Sequence, residues 1–224
     1  MDYQPLLLTF KLALVTTMCL LAVGIPLAAW LAKSKSRFKP VAEAVISLPI
    51  VLPPSVIGFY LLLAFSPNYH FGQLLESVFD IRLVFSFPGL VLSSMLYSLP
   101  FMVQPVQAGL QSLPASLQEA SQTLGKSSAQ TFFRVLLPNI KPALLTGIVL
   151  TFAHTIGEFG LVLMIGGNIP GVTKVASIAI YEQVESLNFA EAHVYAAVLL
   201  AISFIILLTV YTVNKRLVKS RWVS

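Results

Sequence analysis

Five stretches of this chain are too apolar and too long for a water-soluble core. They run from about Thr9 to Ala32, Val41 to Ser66, Val84 to Leu110, Pro142 to Gly166 and Ala190 to Val213. Each is longer than the ~20 helical residues that, rising about 1.5 Å apiece, cross a hydrocarbon layer of about 30 Å. Only 10% of the 224 residues are charged, against about 25% in soluble domains. Lipid is therefore the main solvent, and the spacing predicts an all-α integral membrane protein with five transmembrane helices.

The loops orient it. Lys33, Lys35, Arg37 and Lys39 follow the first span, Lys126, Arg134 and Lys141 lie between the third and fourth, and Lys215, Arg216, Lys219 and Arg221 follow the fifth. The opposite side keeps Arg82 and Lys174, with Lys11 just inside the first span. Positive charge collects on the cytoplasmic side, so the expected topology is N-terminus out and C-terminus in. The net charge of +5 reads as that topology signal and gives no reason to infer nucleic-acid binding. The N-terminal MDYQPLLLTF lacks the basic region of a cleavable signal peptide, so the first run is expected to be a permanent span. The single cysteine, Cys19, lies within it and is read as a packing residue. One membrane domain is expected over residues 9–217, with no regulatory domain after the fifth span. Five spans are few to enclose a path, which points to self-association.

The longest inner connection, about 112–138, contains Gln118 to Pro138, QEASQTLGKSSAQTFFRVLLP. Gly125-Lys126-Ser127 looks like the end of a phosphate-binding loop, but that motif needs a glycine five residues before Gly125 and a buried strand before the loop. Ala120 stands at the glycine position and no strand precedes it, so this chain is expected to bind no nucleotide. Ser116 and Glu119 have capping-box spacing. Leu117, Ala120 and Leu124 share one helical face, and Gly125 suits a left-handed C-cap. A two-turn helix is unstable alone. It is held either in a partner's groove or against its own bundle, and spacing leaves both open.

Within the spans, Glu158 is the one acid at depth and His154 lies one turn before it. A charge at the bilayer centre costs about 2.5–3.5 kcal/mol, so such a residue faces protein or water. Their i, i+4 spacing predicts a pair, and Gly157 and Gly160 would let another helix approach closely. A structural clamp and a place on a substrate path both fit. Pro53 and Pro54 remove two backbone donors and predict a break in the second span. Pro100 and Pro105 predict kinks in the third, beside Ser98 and Gln104. Kinks of this kind serve either structure or a polar conduit. One His and one Glu are too few for zinc, and no nucleophile–base motif appears. An intramembrane enzyme or independent channel is thus the remote alternative.

With the short helix placed after the third span, the chain resembles the permease subunit of a bacterial ABC importer. Glu119-Ala120-Ser121, Gly125 and Leu137-Pro138 match the family's coupling loop, with Ser121 in place of a second alanine. Leu52-Pro53-Pro54, Gly157-Glu158-Phe159-Gly160 and Gly167-Asn168-Ile169-Pro170-Gly171 resemble molybdate permeases, with sulfate and thiosulfate permeases as nearest relatives. The likeness covers about Thr9 to Leu217. An N-terminal span that some members carry is absent, in keeping with an odd number of spans.

The resemblance implies a type I importer bundle in the bacterial inner membrane, formed by two copies of the chain. It further implies two cytoplasmic ATPase subunits that bind ATP and magnesium, and an extracytoplasmic binding protein that delivers an oxyanion. The chain itself would need no cofactor and catalyse no bond cleavage. Leu117, Glu119, Ala120, Ser121, Leu124 and Gly125 would couple to the ATPase. Ser98, Gln104, His154 and Thr155 are the expected path residues, since hydroxyls and amides solvate a dianion without trapping it. Glu158 would repel a dianion, so it is expected, with Pro53, Pro54, Gly157 and Gly160, to serve structure or gating. Tungstate and sulfate importers remain the alternatives.

Overall fold

The computed structural model describes residues 2–219, which are helical with no strand among them. The long first helix, α1 (Gln4–Lys33), carries Pro5 in its first turn, where a missing N–H is harmless, and Lys33 in its last turn. The second expected span is two helices, α2 (Lys39–Val51) and α3 (Pro54–Phe65), bent by 113°. The cause is local. Leu52 precedes a proline and is extended, at φ −79° and ψ 139°. Pro53 and Pro54 have no N–H to orphan at the bend, and the carbonyl of Pro53 accepts from Val56 N at 3.0 Å.

The amphipathic α4 (His70–Phe79) follows, closed by Asp80 in the left-handed region. Next comes α5 (Phe87–Gln111), capped by Ser86, whose hydroxyl accepts from Gly89 N at 3.2 Å. Pro100 and Pro105 lie inside α5 and do not break it; each removes one hydrogen bond, and the packing of α1 and α9 along α5 holds it together. On the connection sit α6 (Ala115–Thr123), α7 (Ser128–Thr131) and α8 (Leu137–Asn139), the last two joined by a π-turn over Phe132–Leu136.

The fourth expected span is also divided. The helix α9 (Lys141–Ile156) stops at Gly157, and α10 (Gly160–Gly166) restarts after Phe159. The glycine-rich turn over 167–171 then leads to α11 (Ala176–Glu185), and α12 (Phe189–Lys219) closes the chain. Helices α1, α5 and α12 are each long and apolar enough to cross a membrane singly.

Packing centres on α5, which lies against α1 and α9. Two apolar clusters form along these helices. One joins Leu12, Leu90, Leu161 and Ile165 with Phe65 of α3; the other joins Leu20, Leu31, Met102, Val106 and Ile140. A buried polar layer separates them. Thr16 and Thr17 lie between Leu12 and Leu20 on α1, and Ser93, Ser94 and Ser98 between Leu90 and Met102 on α5. From the other direction, Thr151, Thr155 and Glu158 lie between Ile140 and Leu161.

The bent helix α2–α3 is anchored by its second half, because α3 packs chiefly on α10. Gly58 permits this: a Cβ there would lie 2.9 Å from Met164 Cβ and 3.1 Å from the Leu161 backbone. Gly58→Val is therefore expected to destabilise the fold by about 1–3 kcal/mol through overpacking, seen as a lowered unfolding midpoint in detergent. Gly157→Ala, where a Cβ meets nothing nearer than 3.8 Å, should leave the midpoint in place. Equal midpoints for both variants would contradict the packing.

Candidate functional site

The break between α9 and α10 gathers most of the polar groups picked out in the sequence. Because α9 ends at Ile156, Glu158 leaves the helical face of His154, and the expected pair between them does not form. Glu158 instead accepts from Ser94 of α5, Oγ to Oε2 at 2.9 Å. Its backbone carbonyl, freed by the break, accepts from Ser177 Oγ at 2.6 Å. The side chain is buried, and Oε1 has no hydrogen-bond partner among the described residues. A buried carboxylate held on one oxygen is suited to fixing α5 against the break.

One turn earlier, Ser98, His154 and Thr155 come together. Thr155 donates to the Thr151 carbonyl at 2.9 Å, so its oxygen accepts from Ser98, 3.2 Å away. The Ser98 proton is then spent, and its oxygen accepts from His154 Nδ1 at 3.0 Å. Proton counting thus places the hydrogen of a neutral imidazole on Nδ1 and leaves Nε2 as the acceptor. Phe101 stacks on the ring at 4.1 Å and Tyr97 lies at 4.8 Å. Ser98 and Thr155 are buried, whereas His154 is half-buried.

Gln104 lies apart from this node. It is exposed on α5 and donates to Ser47 Oγ of α2 at 3.0 Å. Gly160 makes the close approach expected of it, with a Cβ position 3.3 Å from Pro54 Cβ. The two helix breaks therefore touch. Gly157 is exposed and meets no other helix closely.

Comparison with known proteins adds the family. The model described as "Binding-protein-dependent transport system inner membrane component" matches residues 24–223. The chain belongs to this family. The permease is 44% identical over 211 residues to the molybdenum transport system permease protein ModB of Azotobacter vinelandii, covering 94% of this chain and 93% of that one. It is 36% identical over 192 residues to the sulfate transport system permease protein CysT of Salmonella typhimurium, covering 85% and 69%. Its fold is shared with an inward-facing structure of the MetNI methionine ABC transporter, at TM-score 0.72 and 15% identity over 95% of this chain and 94% of that one. A bacterial alginate ABC transporter in complex with its pentasaccharide-bound periplasmic protein aligns at TM-score 0.76 and 18% identity, over 96% and 78%.

In this permease, α6 is presented to the outside of the bundle. Its principal packing is with α7 and the π-turn, not with the membrane-length helices. The expected capping box at Ser116 does not form, because Pro114 occupies the N-cap and no side chain caps it. The box is one helix later, between Ser127 and Gln130. The C-terminus follows the expectation: Gly125 has φ +73°, with Gly125 N on the Gln122 carbonyl and Lys126 N on that of Ser121, a Schellman closure. Ser121 turns inward and bonds Thr131 Oγ1 at 2.9 Å. Glu119, Ala120 and Leu124 are left exposed and Leu117 half-buried.

Sequence reasoning passed over Ser94, Ser177 and Thr131. A signal for the first existed: Ser94 and Ser98 on α5, like Thr151 and Thr155 on α9, repeat at four residues and so share a face. A double-mutant cycle of Ser94→Ala with Glu158→Gln, read by unfolding in detergent, is expected to show a coupling of about 0.5–3 kcal/mol. Strict additivity would show that the two side chains do not interact.

Proposed function

We propose that this permease is the membrane subunit of an ATP-driven importer of molybdate. The observation that carries the reading is the 44% identity to a molybdenum permease along 94% of the chain. In this reading two copies form the path, and each crosses the membrane five times with the N-terminus out. The bent pair α2–α3 counts as one span and α9–α10 as another. The basic clusters at residues 33–39 and 126–141 support that orientation.

The exposed helix α6 is the coupling element. Glu119, Ala120 and Leu124 offer a short, partly apolar ridge to a groove on the ATPase, and the Gly125 closure and the Ser121–Thr131 bond hold its rear. ATP and magnesium belong to that partner. A binding protein on the outer face delivers the oxyanion, in keeping with the family's description as binding-protein-dependent. Closure of the ATPases brings the two α6 helices together and tips the spans from inward-open to outward-open; product release resets them. Gln104 lines the path, while Ser98, Thr155 and His154 clamp α5 to α9 beside it. Sulfate transport is the second reading, favoured by the 36% identity to a sulfate permease.

The complex with its ATPase, reconstituted in proteoliposomes with its binding protein, decides between them. Molybdate uptake should require ATP and exceed that of sulfate at equal concentration; a preference for sulfate would overturn the molybdate assignment. Ala120→Glu should insert normally yet fail to retain the ATPase on purification. Full retention would refute docking through α6.

A further inference from the structure

One face of α5 changes character along its length. Leu96 and Leu99 share an apolar groove of about 320 Å³ with Leu48, Leu52 and Tyr60. Further along the same face, Gln104, Gln107 and Gln111 line a second cavity of about 320 Å³ with Ser47 and Glu43 of α2. The second cavity is wired across its walls. Gln104 donates to Ser47, and Gln107 donates to Glu43 Oε1 at 2.6 Å. Lys39 lies 3.8 Å from the same carboxylate oxygen.

Gln104 is seven residues, roughly 10 Å, from Gln111 near the helix end. Amides and a carboxylate at that depth do not face hydrocarbon, because lipid leaves their hydrogen-bonding groups unsatisfied. Water or protein therefore covers this wall, and the open cavity favours water. Glu43 is the one charged group of its lining, standing among amides and a hydroxyl, and Lys39 beside it, outside the lining, offsets that charge. Such a lining admits a dianion without retaining it.

We propose that the α2–α5 crevice is the cytoplasmic exit vestibule for the transported oxyanion, and that Glu43 is the charge that prevents the vestibule from trapping it. This rests on the importer reading above. Held by Gln107 and Lys39, Glu43 offsets the lysine that would otherwise bind the dianion. The apolar groove beyond is a dry stretch that an ion does not cross until the helices move.

Two measurements on the complete complex test it. With Cys19→Ser as background, Ser47→Cys in inside-out vesicles should react with a charged, membrane-impermeant thiol reagent, and Leu96→Cys should not in the nucleotide-free state. Failure of Ser47→Cys to react, while a cysteine placed at Ser36 does, overturns the vestibule. Glu43→Gln should keep ATPase activity but slow molybdate uptake by roughly an order of magnitude, with Glu43→Asp restoring most of it. Unchanged uptake by Glu43→Gln overturns the role of the charge. Labelling reads the crevice and uptake by the unmodified complex reads the substrate, so the vestibule and the importer reading fail separately.

Discussion

A helix that breaks inside a membrane exposes N–H and C=O groups that lipid cannot satisfy, and two of the five spans expected from the sequence are divided in this chain. It covers both at one junction. At the first break, consecutive prolines carry no N–H to be orphaned, and the Pro53 carbonyl is taken up by the following turn. At the second, Ser177 reaches from α11 to the carbonyl of Glu158. Gly160 then brings the start of α10 against Pro54 at the start of α3. Helices α3, α10 and α11 thus each make a contact at this junction.

The same junction explains part of the buried polar layer. Side-chain hydroxyls on α1, α5 and α9 sit at the level where the breaks occur, between two apolar clusters that need no polar help. Ser94 meets Glu158, and Ser98 meets His154 and Thr155. Interhelical hydrogen bonds in lipid are individually modest, about 0.6 kcal/mol on average, so their value lies in register. They fix which turn of α5 faces which turn of α9, and thereby where Gln104 and Gln107 open towards α2.

The apolar helices were legible because hydrocarbon thickness acts on composition directly. The proline break at Pro53 and the left-handed Gly125 were legible because each follows from one residue's backbone chemistry. The division at Gly157 was not, since a glycine inside an apolar run reads equally as a packing residue. Missing that break carried the error into the His154–Glu158 pair, which assumed one unbroken helical face. The prolines of α5 lie inside a helix that runs on through them, where packing on α1 and α9 holds it continuous. The cap at Ser116 failed because Pro114 fits the N-cap backbone without it. Helices α4 and α11 lie in connections between the expected spans, where the apolar runs give no sign of them. The grouping of Ser47, Glu43 and Gln107 depends on the 113° bend that lays α2 on α5, and no local pattern encodes that angle.

The meeting of the two breaks is open to direct measurement. The Cβ position at Gly160 lies 3.3 Å from Pro54 Cβ, just under the ~3.5–4.5 Å span of a disulfide. In a Cys19→Ser background, Pro54→Cys with Gly160→Cys should therefore close an intrachain disulfide under mild oxidation, found by mass spectrometry as a cross-linked peptide pair. Two thiols that both remain free to alkylate, in protein that is otherwise folded, would contradict the junction and the arrangement built on it.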